Sequence, residues 1–281
     1  MTTFDDERPR LLGIAYRLLG SFADAEDVVQ ETWIAWNEVG AASVDNPAAY
    51  LAKAVTHRAL NRIRTLARRR EDYIGDWLPE PVSSARLPDE AAEIADSVSF
   101  AMLVMLERLS PLERAAFILR DVFDVSTADV ADTLERSPEA VRKLVSRARS
   151  RLKDDPPDDA DTASHTRTSL AFADAVQRGD VEAALALLSP TVEFIADSGG
   201  RARASRRPIV GADNVLRFLL GALTKWQVDA INAVDVNRRT ALLVLSASDG
   251  DGIYQVAVRD GLIERIWATR NPDKLSAVSG P

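Results

Sequence analysis

Residues 126–153, STADVADTLERSPEAVRKLVSRARSRLK, constrain this chain most, because they join two helix starts, one tight turn and a final run of charge of single sign. Ser126 and Ser137 each precede a short apolar-periodic run as N-caps, and Pro138 suits the first helical position. Val130, Ala131 and Leu134 form the inner face of the first helix, and residues 135–137 make a turn of helix-turn-helix length. On the second helix Val141, Leu144, Val145, Ala148 and Leu152 share one face at about 100° per residue. The other face carries Glu139, Arg142, Lys143, Ser146, Arg147 and Arg149, and from Arg142 to Lys153 there are six basic residues and no acidic one. A plain solvated face is the alternative. The unbroken sign of charge favours phosphates nearby and a helix that enters a DNA major groove.

The rest of the chain is not basic. Its 281 residues hold 35 Lys+Arg against 43 Asp+Glu, a net charge of -8, so DNA contact has to be confined to local patches. Cysteine is absent, which excludes disulfides and thiolate metal sites and suits a reducing, cytoplasmic setting. No stretch approaches the roughly 20 apolar residues of a membrane span, and MTTFDDERPR lacks a signal-peptide pattern. The expectation is therefore no membrane, no metal and no cofactor.

Punctuation divides the chain into three modules. Residues 74–95 contain three prolines and no sustained helical period, and DDPPDDADTAS (154–164) is too acidic to bury apolar area. The expected boundaries are 1–73, a linker at 74–95, 96–153, an acidic linker at 154–162, and 163–281. In the first module Leu11, Leu12, Ala15, Leu18 and Leu19 form a stripe that stops at Gly20. Ser21 and Asp24 then make a capping-box pattern that opens a helix with Val28, Val29, Thr32, Trp33 and Trp36 as its buried edge. The other edge of that helix is acidic, with Asp24, Glu26, Asp27 and Glu31. A third helix follows Asn46-Pro47, begins with Tyr50, Leu51, Ala54 and Val55, and ends in Arg58, Arg62, Arg64, Arg68, Arg69 and Arg70. An acidic helix beside a basic one suggests two different partners.

These residues carry a resemblance. DAEDVVQETWIAW (24–36) resembles the polymerase-clamp-binding helix of bacterial sigma factors of the extracytoplasmic-function group. YLAKAVTHRALNRIRTLARRR (50–70) resembles the helix of the same domain that melts and reads the promoter −10 element, and residues 110–152 resemble the −35-reading domain. The resemblance covers about 1–153 and implies core RNA polymerase and promoter DNA as partners. It assigns Asp24, Glu26, Asp27, Gln30 and Glu31 to core polymerase, where complementary charge sets encounter and orientation. Lys53, His57, Arg58, Asn61 and Arg62 fall near the −10 single strand, with loop 38–46 as the pocket for an extruded base. Ser137, Glu139, Arg142, Lys143, Ser146, Arg147 and Arg149 fall on the −35 element.

Residues 163–281 exceed a minimal sigma factor. Short helices at 168–178 and 181–188, an alternating strand at 191–197 and a helix within 208–223 precede three further strand-like runs. Asp260-Gly261 between alternating runs is a strong hairpin signal. The expected fold is multidomain: two all-α domains, then an α+β cone with a curved antiparallel meander. That cone resembles the polyketide-cyclase-like (SnoaL-like) domains, whose interior often encloses a small-molecule pocket, so a small ligand is an open expectation. Asp197, Asp229, Asp235 and His165 are the candidates for acid–base chemistry, but no pairing among them is visible, and no catalytic residue is assigned.

WLPEP (Trp77, Leu78, Pro79, Glu80, Pro81) and NPDKL (from Asn271, Pro272, Asp273 and Lys274) look like signatures of the sigma-factor subgroup with a fused SnoaL-like domain. DSGGRARA, with Asp197, Gly199, Gly200 and Arg201, is similar to that subgroup's DGGGK-type loop, but has Ser198 for a glycine and Arg201 for the lysine. The resemblance implies a promoter-specific sigma subunit whose C-terminal domain acts on the interdomain linker. A ligand-sensing helix-turn-helix regulator and a cyclase- or isomerase-like enzyme fused to a DNA-binding module are the alternatives.

Overall fold

The computed structural model describes residues 4–39, 43–70, 73–83, 94, 97–153, 161–276 and 278, with the backbone alone at 68–70. Residues 154–160 of the expected acidic linker, residues 40–42 of the expected pocket loop and much of 84–96 lie outside the described residues. The chain forms two compact units. One holds both helical modules; the other holds residues 72–88 together with the C-terminal domain. Among the described residues no helix is long and apolar enough to cross a membrane.

In the first unit, α1 (Phe4–Leu19), α2 (Phe22–Val39) and α3 (Pro47–Arg70) pack around Leu11, Leu12, Ile14, Leu18, Val28, Leu51 and Val55, all fully buried. Trp36 is buried as expected, whereas Trp33 is 42% exposed beside Ile34 at 49%. The expected buried edge therefore stops short of Trp33, because Val28, Val29, Thr32 and Trp36 already fill it.

The second helical module contains α4 (Phe100–Leu106), α5 (Pro111–Phe117) running into a π-helical turn (Ile118–Val122), α6 (Thr127–Leu134) and α7 (Pro138–Lys153). The helix-turn-helix is α6–α7. Ser126 caps α6 through the Asp129 amide, Glu135 ends it in the left-handed region at φ 53°, and Ser137 accepts from the Ala140 amide. Two buried arginines join the helical modules. Arg17 of α1 donates to the Gly13 and Ser97 carbonyls, and Arg114 of α5 donates to the Leu18 carbonyl and pairs with Glu107 at 2.6 Å. Burial lowers the Arg17 guanidinium to a pKa of about 10.

In the second unit, α8 (Thr162–Arg178), α9 (Val181–Ala186) and α10 (Ala212–Lys225) lie with one six-stranded sheet. Its strands are β1 (Leu188–Asp197), β2 (Ile209–Val210), β3 (Ala230–Val236), β4 (Arg239–Leu245), β5 (Gly252–Arg259) and β6 (Leu262–Thr269). Their order is β2-β1-β6-β5-β4-β3. β3 through β6 form the expected antiparallel meander, and Asp260-Gly261 turns β5 into β6 with φ of 51° and 77°. The sheet as a whole is mixed, because β1 pairs parallel with β6, with Asp197 opposite Thr269. That pairing brings the C-terminal ends of both strands to one end of the sheet, and with them the loops 198–208 and 270–275. Phe172, Phe194, Leu216, Tyr254, Val258 and Ile266 lie in the core between helices and sheet.

Candidate functional site

The linker stretch 73–83 is held where β1 and β6 end. Asp197 is fully buried there and its carboxylate accepts four hydrogen bonds. Its Oδ1 takes the Tyr73 hydroxyl at 2.5 Å and the Gly199 amide at 3.1 Å; its Oδ2 takes the Leu78 amide at 2.8 Å and Lys274 Nζ at 2.6 Å. Lys274 also donates to the Leu78 carbonyl and sits 4.0 Å from the centre of the Trp77 ring. Asp197 and Lys274 thus hold both backbone polar groups of Leu78, while the cation covers the neighbouring aromatic face. Asn271 donates to the Tyr73 hydroxyl at 2.9 Å, and burial followed by the Asp197 carboxylate raises the Tyr73 pKa well above the ordinary phenol value.

Further along, Val82 and Asn237 exchange two hydrogen bonds: the Val82 amide donates to Asn237 Oδ1 at 3.1 Å, and the Asn237 amide to the Val82 carbonyl at 3.0 Å. Leu78, Pro79, Glu80 and Pro81 are all buried. The two glycines of DSGG have steric reasons. At Gly199 (φ 55°) a Cβ would lie 2.6 Å from Asn271 Nδ2, and at Gly200 (φ 72°) one would lie 2.9 Å from the Ile74 side chain. Ser198 fits because its hydroxyl accepts the Gly200 amide. Arg201 forms a two-oxygen pair with Asp273, both at 2.6 Å, and Pro272 opens the short helical turn that presents Asp273 and Lys274. The residues expected for regulation therefore converge. Tyr73 and Asn237 join them without having been expected. Asn237 sits in the VNRR turn, where an asparagine of positive φ is a readable signal, but an aromatic next to a basic run carries none.

On α2, Glu26, Asp27, Gln30 and Glu31 are exposed. Arg62, expected at the DNA strand, instead reaches back to this helix, with Asp24 and Glu31 each at 3.1 Å and Asp27 at 3.8 Å. Lys53 and His57 point the other way, toward the helix-turn-helix: Lys53 pairs with Asp132 at 2.8 Å, and His57 Nε2 is 2.5 Å from the Thr133 carbonyl oxygen. Arg58 is half-buried, and exposed Asn61 accepts from Arg64 at 2.8 Å.

On α7 the expected DNA face is exposed, but several of its cations are already paired. Arg147 Nε donates to Glu113 Oε1 at 2.8 Å and Arg151 to Oε2 at 2.7 Å; Arg149 grips Asp121 through two 2.7 Å bonds. Glu113 is buried, which raises its pKa, yet the bonds from Arg147 and Ser110 and the charge of Arg151 outweigh burial and leave it below the ordinary glutamate value. Among the described residues Arg142 shares only the exposed Glu139, at 3.2 Å. Arg120, Arg142, Arg149 and Lys153 line one basic groove along the helix with Ser146 and Ser150.

The acid–base candidates scatter. His165 is buried with Nε2 3.1 Å from the Val256 carbonyl oxygen, Asp229 caps the Ala247 amide, and Asp235 is exposed on β3. The interior cavity of the C-terminal domain measures about 60 Å³ and is walled by apolar side chains such as Phe172, Leu219, Val256 and Ile266.

Two family models match the chain: Sigma-70 region 2 over residues 3–69 and Sigma-70, region 4 over residues 99–152. The chain is 37% identical to the ECF RNA polymerase sigma factor SigJ of Mycobacterium tuberculosis, over 98% of this chain and 93% of that protein. It is 33% identical to the ECF RNA polymerase sigma factor SigG of the same organism, over 56% of this chain and 48% of that protein. The crystal structure of the M. tuberculosis extracytoplasmic function sigma factor SigJ matches with a TM-score of 0.80 at 33% identity, covering 98% of this chain and 97% of that one. With both sigma regions and the C-terminal domain in one alignment, the chain belongs to the extracytoplasmic-function RNA polymerase sigma factors.

Proposed function

We propose that residues 163–281 regulate this sigma factor by holding the linker that joins its −10-reading and −35-reading domains. The observation that carries the reading is the fully buried Asp197, which together with Lys274 takes both backbone polar groups of Leu78. A segment bound so tightly cannot change length freely, and linker length limits the separation of the two domains on a promoter. Regulation follows only if the hold differs in free energy between the free and the promoter-bound arrangement. Lys53 and His57 favour such a difference: both belong to the expected −10 face, and both are engaged by α6. Reading −10 and −35 elements together requires those two bonds to open.

In the same reading, exposed Glu26, Asp27, Gln30 and Glu31, with Trp33 and Ile34 alongside, meet core polymerase in the cytoplasm. Arg142 and Lys143 read the −35 element, and Arg147 serves first as a tie to Glu113. The test is run-off transcription with core polymerase, comparing the full chain with Trp77→Ala and with a chain ending at residue 270. Paired labels on the two DNA-reading domains report their distance in parallel. Activity and distance that stay unchanged in both variants would reject regulation through the linker.

A further inference from the structure

Beside the linker-holding end of the sheet lies a second concave site, which shares Ile74, Ser198 and Gly200 with that contact but carries its charge on residues outside the grip on Leu78. It is a groove of about 560 Å³ between α10 and the loop 198–208, lined by Arg203, Arg206, Arg217 and Lys225 with Phe218 and Trp226. Its size falls within the usual range for small-ligand sites, about 300–1,000 Å³. No carboxylate is among the residues that line it. Arg203 shares Asp249 at 3.4 Å, but among the described residues Arg206 and Lys225 have no acidic partner. Four cations facing one groove on a chain of net charge -8 form a local inversion of the field.

The helix wall is built in two stripes. Arg217, Gly221 and Lys225 follow one another at four-residue spacing, and Phe218 and Ala222 form the adjacent apolar stripe. Gly221 is the anomaly. A glycine inside a helix costs about 1 kcal/mol relative to alanine, and here no neighbour lies within 4 Å of where its Cβ would be. Its φ is ordinary, so neither packing nor backbone geometry requires it. The missing side chain leaves a notch between two cations, one helical turn from each.

We infer that this groove binds an organic polyphosphate of nucleotide size, with the phosphates on Arg206, Arg217 and Lys225 in the Gly221 notch and the organic part against Phe218. A duplex is too wide to enter a groove of this volume, which favours a small phosphate ester over a nucleic-acid backbone. The inference stands whether or not the linker grip regulates transcription, because its readout is binding.

The experiment is calorimetric titration of the full chain with ADP, with competition by inorganic tripolyphosphate and by a duplex lacking promoter elements. ADP is expected to bind with a Kd below about 1 mM and to be displaced by tripolyphosphate. Arg217→Gln with Lys225→Gln should weaken binding roughly tenfold or more, since two charge-assisted contacts are lost. Gly221→Met should weaken it as well while raising the melting temperature, a combination that general damage to the fold cannot produce. Absence of ADP binding, no displacement by tripolyphosphate, or wild-type binding by both variants would overturn the proposal. Displacement of ADP by the duplex would assign the groove to a nucleic-acid backbone and overturn it equally.

Discussion

Removing the Asp197 carboxylate should free the linker without unfolding either unit. Asp197→Ala deletes the acceptor of four hydrogen bonds and leaves the Lys274 ammonium, only 12% exposed, without its counter-charge. Breaking a buried pair from one side typically costs about 3–5 kcal/mol. Taking the lower end, local opening of residues 73–83 becomes easier by about 3 kcal/mol, or roughly a hundredfold in population. The Leu78 amide, which donates to Asp197, reports this directly. Hydrogen exchange followed by mass spectrometry on a peptide spanning 73–83 should therefore accelerate by that factor, while peptides from α1 and β5 keep their wild-type rates. Lys274→Met should have a smaller effect, about 1–3 kcal/mol, because Tyr73, Leu78 and Gly199 still satisfy the carboxylate. A double variant carrying both changes should fall short of the sum by about 1–2 kcal/mol, as expected of groups in contact. Exchange at 73–83 that changes less than about threefold in Asp197→Ala would refute the reasoning.

Other expectations follow from the same geometry. Asp76 carries a raised pKa from burial and from the nearby Asp197 charge, so its ionised form opposes the folded arrangement and the grip strengthens as pH falls through that raised value. Asp76→Asn should reproduce the strengthening at neutral pH as slower exchange at 73–83. Glu113 has the opposite sign: its depressed pKa contributes stability at neutral pH that is lost as pH falls below the ordinary glutamate range. An acid titration followed by tryptophan-independent circular dichroism should show that loss, and Glu113→Gln should flatten it. Asp132→Lys replaces the partner of Lys53 with a like charge and should increase binding to a single-stranded −10 oligonucleotide, read by fluorescence anisotropy. Asp27→Lys with Glu31→Lys should abolish co-purification with core polymerase while leaving helix content unchanged.

What the residues reveal in advance depends on how far apart the interacting groups lie in the chain. The helix-turn-helix is legible because its signals are local: Ser126 and Ser137 cap within three residues, and the apolar faces repeat within one helix. The β5–β6 hairpin is legible for the same reason, through Asp260-Gly261. The parallel pairing of β1 with β6 is not, because nothing within either strand records a partner about 70 residues away. Arg62 shows the same limit: its type and helix suggest a phosphate, and only the fold sets it against Asp24 and Glu31. Buried Arg17 and Arg114 carry no local signal, since Arg17 meets the distant Ser97 and Arg114 the distant Leu18 carbonyl together with Glu107, contacts that only the fold sets. The grip on the linker was visible as motifs, but Tyr73 was hidden because its two partners are 124 and 198 positions distant.

That separation has a consequence for the protein while it is being made. The linker leaves the ribosome well before Asn271 and Lys274 are synthesised, and the β6 end that carries them pairs with β1 only when β6 exists. At about 5–20 residues per second, the 121 residues that follow Lys153, up to Lys274, occupy roughly 6–24 s of translation. Throughout that interval both DNA-reading domains are complete and the segment between them is ungripped. A ribosome stalled between residues 153 and 271 would therefore display the sigma portion with its linker ungripped.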